Sequence, residues 1–165
     1  MKPTRIFIDT EFMDDGKTIE LISLGACFDM KCGTIGKFYV CNQDADLSKA
    51  NGWVKEHVLP QLPPKNHHSW LPYKEIADRF EQFCNIEPEF WGYFSAYDWV
   101  AICQMYGAMV DLPEGWPMYC NDLRQWANML GINHLPQQES GEHSAINDAM
   151  WNRSTWLWLK EQEEK

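Results

Sequence analysis

Asp9 and Glu11 stand two residues apart at the end of Arg5-Ile6-Phe7-Ile8-Asp9-Thr10-Glu11-Phe12. The apolar run before them, rich in Ile and Phe, reads as a strand buried on both faces. Residues i and i+2 of a strand share a face, roughly 6.6–6.8 Å apart along the chain. Two carboxylates so placed repel, and burying either one without a partner is costly. A cation between them resolves the conflict, and oxygen donors at this spacing suit Mg²⁺ or Mn²⁺. Taken alone, an Asp-x-Glu pair also reads as a solvated strand end entering the turn Met13-Asp14-Asp15-Gly16. Its meaning depends on further carboxylates and a base.

Two downstream segments supply them. Asp98 follows the apolar strand Phe90-Trp91-Gly92-Tyr93-Phe94, in the first turn of the next helix. An acidic residue there has an ordinary role as well, complementing the helix dipole. The second segment is Gly141-Glu142-His143-Ser144-Ala145-Ile146-Asn147-Asp148. Five residues of helix rotate by roughly 140°, so His143 and Asp148 share a face only if His143 lies before the helix. Ser144 is a suitable N-cap and Gly141 loosens the loop ahead of it. Asp148 then sits on the helix, and His143 rides a movable lead-in from which it can reach a water above the cations. Its ordinary pKa near neutrality suits a base, although a lone surface histidine beside a helix would look the same.

The elements that must hold these groups follow from periodicity. Thr18–Phe28 and Gly33–Cys41 read as strands that form a meander with the first. Helices are predicted over about 46–58, 73–84, 97–106, 121–130 and 144–161, with the tail 160–165 fraying. Three strands, then helices alternating with a lone buried strand, give an α/β fold: a mixed, five-stranded-type central sheet flanked by helices. The chain 1–165 reads as a single domain.

Composition narrows the partners. The net charge of −10 excludes broad electrostatic binding of duplex nucleic acid. A polyanionic substrate would need bound cations, and a short single-stranded end fits better than a long duplex. No apolar run approaches the length of a membrane span, and the N-terminus lacks a signal-peptide pattern. The six cysteines form no Cys-x-x-Cys pair, and several lie in apolar runs, which points to a reduced, cytoplasmic compartment.

Asp9, Glu11, Asp98 and Asp148, with His143 five residues before the last, resemble the DEDDh branch of the DEDD 3′→5′ exonucleases, the RNase T and proofreading-exonuclease relatives. Longer stretches are similar to the RNase AS family of small bacterial exoribonucleases: Asp9-Thr10-Glu11-Phe12, Thr18–Gly25, Trp53-Val54-x-x-His57-Val58-Leu59-Pro60, Ala96-Tyr97-Asp98 and Leu123-Arg124-Gln125. The resemblance covers nearly the whole chain. It implies an RNase H-like fold, 3′→5′ removal of nucleotides from single-stranded, adenylate-rich RNA ends, two Mg²⁺ ions (or Mn²⁺), and a homodimer. By the same analogy Asp9 is shared by both ions, Glu11 and Asp148 complete one, Asp98 lies nearby, and His143 is the general base. Phe12 is expected at the terminal nucleotide with Thr10 and Ser95 beside the acids, and Ile19, Glu20 and Leu21 on the adjacent strand. Trp53, Trp70, Trp91, Trp99 and Trp116 are candidate stacking platforms. His57 reads as a packed structural residue, and His67, His68 and His134 as loop residues. A single-stranded DNA exonuclease with the same residues, and a catalytically silent nucleic-acid-binding module, are the competing functions.

Overall fold

The computed structural model describes residues 4–84 and 87–165. Strand β1 (Thr4–Asp14) folds back through a tight turn onto β2 (Ile19–Asp29), and β2 returns as β3 (Ile35–Asn42). This is the expected meander. In the turn, the Asp14 and Asp15 carboxylates accept the backbone N–H groups of Gly16, Lys17 and Thr18 at 2.7–2.9 Å. Helix α1 (Gly52–His57) follows a separate 3₁₀ turn at Leu47–Lys49, so the single helix expected over this stretch is broken in two. Asn51 marks the break: its side chain accepts the Val54 N–H at 2.9 Å and starts α1 afresh. Next come β4 (Trp70–Leu71), α2 (Tyr73–Cys84), β5 (Pro88–Gly92), α3 (Ala96–Tyr106), β6 (Asn121–Asp122), α4 (Leu123–Met129) and α5 (Ala145–Glu163).

The sheet order is β4-β3-β2-β1-β5-β6, with β1 central and parallel to β5. It has six strands rather than five, because Trp70–Leu71 and Asn121–Asp122 each add a two-residue edge strand. Periodicity places the first outside any element and begins a helix at the second. A two-residue pairing carries no periodicity to read. Asp122 does cap α4, accepting the Gln125 N–H at 3.0 Å.

Alternation along β1 divides the core. Ile6 and Ile8 pack with Ile76, Phe80, Trp99 and Ile102 of α2 and α3 on one face of the sheet. Phe7 packs with Leu123, Ala127, Trp156 and Leu159 of α4 and α5 on the other. Helix α5 runs through Lys160–Glu163, where the sequence reading expected fraying.

Candidate active site

Strand β5 pairs with β1 only from Thr4 to Phe7 and then turns into α3. Beyond that point β1 has β2 on one side and, among the described residues, no strand on the other. Two ladder groups left without a strand partner on the open side are the Ile8 carbonyl and the Thr10 N–H. Buried backbone polar groups need partners, and side chains from two helices provide them. Asn152 of α5 donates to the Ile8 carbonyl at 2.8 Å. Asp98 of α3 accepts both the Thr10 N–H, at 2.7 Å, and the Thr10 hydroxyl, at 2.6 Å. The break in the ladder thus draws α3 and α5 to the end of β1, where Asp9 and Glu11 lie.

Asp148 reaches the same place because Gly25 lies directly across from Asp9 on β2. A Cβ at position 25 would come within 2.1 Å of the Ala145 carbonyl oxygen. Only a glycine lets the first turn of α5 settle so low on the sheet. Both Asp148 carboxylate oxygens are engaged by the preceding loop: Oδ1 accepts from Gln138 Nε2 at 2.7 Å, and Oδ2 from the His143 N–H at 2.9 Å. His143 lies before α5, as the rotation argument requires, and adopts a left-handed backbone with φ +63°. Ser144 is at the N-cap position but makes no side-chain cap bond.

Donor atoms of Glu11, His143 and Asp148 lie within 4.8 Å of one another, among groups that could share an ion. The electrostatics match such a set. Burial, then the neighbouring charges of Asp98, Asp148 and Glu11, hold the Asp9 carboxyl well above its usual range. Burial followed by repulsion from Asp148 and Asp98 pushes Glu11 up to about 8. Burial raises Asp98 to about 6 against the two bonds from Thr10, and it also raises Asp148. Carboxylates that resist ionising together are what a hard divalent cation would neutralise. The cluster therefore fits a divalent cation, and the donor atoms of Glu11, His143 and Asp148 are the ones grouped closely enough to share it.

Two clefts meet here and share Asp9, Tyr93, His143 and Asp148. One, of about 460 Å³, is walled by Thr10, Glu11, Phe12, Trp53, Phe94 and Tyr97. Phe12 stacks on Tyr97 with ring centres 5.7 Å apart. The other, of about 430 Å³, is walled by Trp151 and by the 133–138 loop with its amide side chains Asn133, Gln137 and Gln138.

The five residues expected to do chemistry are brought together, and Thr10 and Phe12 line the first cleft beside them. Ser95 is buried, its N–H donating to Asp122 at 2.8 Å, and lines neither cleft. Ile19, Glu20 and Leu21 border a separate depression with Asn42, Asp44 and Tyr73, and Glu20 accepts the Asp46 N–H at 3.1 Å. The β1–β2 pairing explains this placement, since Ile19 and Glu20 sit opposite Asp14 and Met13, beyond the acidic pair. Of the five tryptophans singled out, Trp53 lines a cleft; Trp99 and Trp116 are core, and Trp91 packs on Trp126 and Trp156. Trp70 is buried, with the Lys65 ammonium over its ring. His134 lines the second cleft. The sequence reading missed Gln138, Asn152, Tyr93, Phe94 and Tyr97; the last three stood in plain view as aromatics between a buried strand and Asp98.

Acidic residues at the open end of the central strand, with helices on both faces of a mixed sheet, define an α/β protein of the RNase H-like class. Solved structures agree on the fold. Escherichia coli exonuclease I superposes with a TM-score of 0.73 at 15% identity, over 99% of this chain and 42% of that one. The chain thus spans about two fifths of exonuclease I. A second structure of that enzyme, in complex with a 5cy-dA13 oligonucleotide, gives 0.69 at 15% identity over 99% and 41%. A 3′-exonuclease described as recognising the histone mRNA stem-loop gives 0.55 at 9% identity, over 98% of this chain and 64% of that one. The family described as the 3′-5′ exoribonuclease Rv2179c-like domain matches residues 4–159. The 3′-5′ exoribonuclease Rv2179c of Mycobacterium tuberculosis strain H37Rv is 37% identical over 149 residues, 88% of this chain and 86% of its own. Its counterpart in strain CDC 1551, MT2234.1, matches equally. The chain belongs to the Rv2179c-like 3′-5′ exoribonuclease family.

Proposed function

We propose that this single-domain protein is a divalent-metal-dependent enzyme that shortens single-stranded, adenylate-rich RNA from its 3′ end and releases nucleoside 5′-monophosphates. The observation that carries the reading is the convergence of Asp9, Glu11, Asp98, His143 and Asp148, from three separate segments, at the junction of two clefts of nucleotide-compatible size. The family supports RNA as the substrate.

Asp9, Glu11 and Asp148 would hold the cations, two Mg²⁺ (or Mn²⁺), with Asp98 close behind. Bound there, the cations supply charge neutralisation at the scissile phosphate and at the departing 3′ oxygen. His143 takes a proton from the attacking water as its oxygen closes on phosphorus. The P–O3′ bond breaks, the departing O3′ takes up a proton from solvent to become the new 3′ hydroxyl of the shortened chain, and the terminal nucleotide leaves with the phosphate. Phe12 and Thr10, on the wall beside Glu11, steady the terminal nucleotide. A role for Ile19, Glu20 and Leu21 requires the RNA to extend past the β1–β2 pair, and Ser95 acts through Asp122 on the start of α3. A homodimer in the cytoplasm completes the reading. The six free cysteines are consistent with that compartment, and no helix among the described residues is long and apolar enough to cross a membrane.

The test is a time course on 5′-labelled oligomers of poly-A RNA, poly-U RNA and poly-A DNA with Mg²⁺, Mn²⁺ or EDTA. A metal-dependent ladder shortening from the 3′ end, fastest on poly-A RNA, is expected. Equal or faster loss of DNA would replace RNA with DNA as the substrate. No cleavage with either metal would leave a silent binding module.

A further inference from the structure

Histidines that act as bases or ligands are usually aimed by a hydrogen bond from the far ring nitrogen to a carboxylate or carbonyl. The His143 ring has no hydrogen-bond partner among the described residues. Its backbone is held, by the N–H bond to Asp148, but in a left-handed conformation that a β-carbon disfavours. The imidazole has the Glu11 and Asp148 carboxylates within 4.8 Å of a ring nitrogen, and an indole packed against it. The ring of Trp53 meets it edge-to-face, with centres 4.8 Å apart and planes at 79°. Trp53 is itself half exposed, on a helix of six residues, and needs a support of its own. His57 supplies it from one turn further along α1, stacked on the indole at 4.8 Å with planes 16° apart. The His57 ring is pinned in turn, with Nδ1 2.9 Å from the Trp53 carbonyl oxygen. A carbonyl only accepts, so Nδ1 carries the proton. The stacked pair then presents a second edge to His143, ring centres 5.8 Å apart.

We propose that His57 is a positioning residue for His143, acting through the indole of Trp53. The inference rests on the reading of His143 as the base, and assigns to aromatic packing the orienting task that a carboxylate performs elsewhere. His57 lines neither cleft, so its substitution leaves the cleft walls intact. Trp53 does line one, so its own substitution would mix positioning with substrate contact.

The experiment compares wild type, His57→Ala and His57→Phe, each as the full chain, with His143→Ala as reference. Steady-state cleavage of a poly-A RNA oligomer with Mg²⁺ gives kcat and KM. Carbon–proton NMR of the imidazoles in the metal-free protein reports the His143 ring directly, because Trp53 shifts its resonances. For His57→Ala, kcat should fall by roughly 10- to 100-fold, the scale of a misplaced catalytic group, with KM unchanged and the His143 ring signals displaced. His57→Phe keeps a flat ring on the indole and should restore both. Unmoved His143 signals in His57→Ala would overturn the proposal. So would an unchanged kcat in a background where His143→Ala is inactive, or failure of a folded His57→Phe to rescue. Full activity of His143→Ala is a separate outcome: it would remove the base itself, and the positioning role with it.

Discussion

Gly25→Ala is the smallest change that tests how the site is assembled. The added methyl would stand 2.1 Å from the Ala145 carbonyl oxygen, 2.2 Å from its carbon and 2.4 Å from the Ile146 nitrogen. All three are backbone atoms at the start of α5, so no side-chain rotation relieves the clash. Ordinary contact begins at 3.4 Å, so helix and strand must part by more than an ångström. Overpacking of this kind costs about 1–3 kcal/mol. Asp148 rides the first turn of α5, three residues from the clash, while Asp9 faces position 25 across the ladder. The displacement therefore falls directly on the separation of the two carboxylates. A misplacement of about 1 Å at a reacting centre costs on the order of 100-fold in rate. The assay is kcat on poly-A RNA alongside thermal unfolding. A Tm lowered by several degrees with turnover down about 100-fold is expected. A Gly25→Ala protein with wild-type Tm and turnover would refute the claim that close approach at Gly25 sets the carboxylate geometry.

The chelated protein should lose stability as pH rises from about 4.5 to about 8: the folded state keeps a proton on Glu11 that the unfolded chain has released, so unfolding takes up fewer protons than it frees. Thermal unfolding in EDTA should give a higher Tm at pH 5 than at pH 8; Mg²⁺ should reverse the trend, Glu11→Gln should reduce it, and a profile rising over that window would contradict the sign. Gln138→Ala releases Asp148 Oδ1 and should weaken Mn²⁺ binding by roughly 10- to 100-fold, the usual effect of removing a group that orients a ligand; calorimetric titration of the metal alone decides it. Asp9→Ala should abolish cleavage while leaving the Tm equal or higher, since it removes a carboxyl held against burial and three like charges. His143→Ala should cut turnover by roughly 10²–10⁴-fold with metal binding kept, and unchanged turnover would remove the histidine from the chemistry.

The residues that converge at the end of β1 are legible because each carries a local signature: two acids spaced for one strand face, an acid after a buried strand, and a histidine five residues ahead of an acid at a helix start. The meander and most helices were legible from periodicity. What could not be read were the long-range partners. Asn152 looks like any polar residue of α5, and its use appears only once β5 is seen to stop at Gly92 and leave the Ile8 carbonyl open. Gln138 sits in a loop of mixed polar residues, and nothing in its neighbours says that it will meet Asp148 ten positions on. The substrate set expected around Ile19–Leu21 followed from adjacency of strands, but adjacency does not say how far along a strand a site extends. Pairing of Phe12 with Leu21 and Glu11 with Ser23 skips Ile22, a bulge beside the acidic pair that no pattern in β2 announces.

The charge of the molecule then constrains how a polyanion can be held. Among the described residues lining the two clefts, Arg124 is the single Lys or Arg, and its guanidinium is committed to the Ile132 and Asn133 carbonyls and the Asn128 amide. Phosphate neutralisation by basic side chains, the usual source of nucleic-acid affinity, thus has one guanidinium to draw on along these walls. Two short-range contributions supplement it. Exposed faces of Phe94, Tyr97 and Trp53 can stack on unpaired bases whatever the net charge. Cations at Asp9, Glu11 and Asp148 can neutralise one phosphate, the one to be cut. Under the proposed function, an acidic protein built this way would have little electrostatic hold on duplex nucleic acid and would engage a chain where its bases are free and its end can enter the carboxylate cluster. Selection for single-stranded ends then follows from where the positive charge is allowed to be.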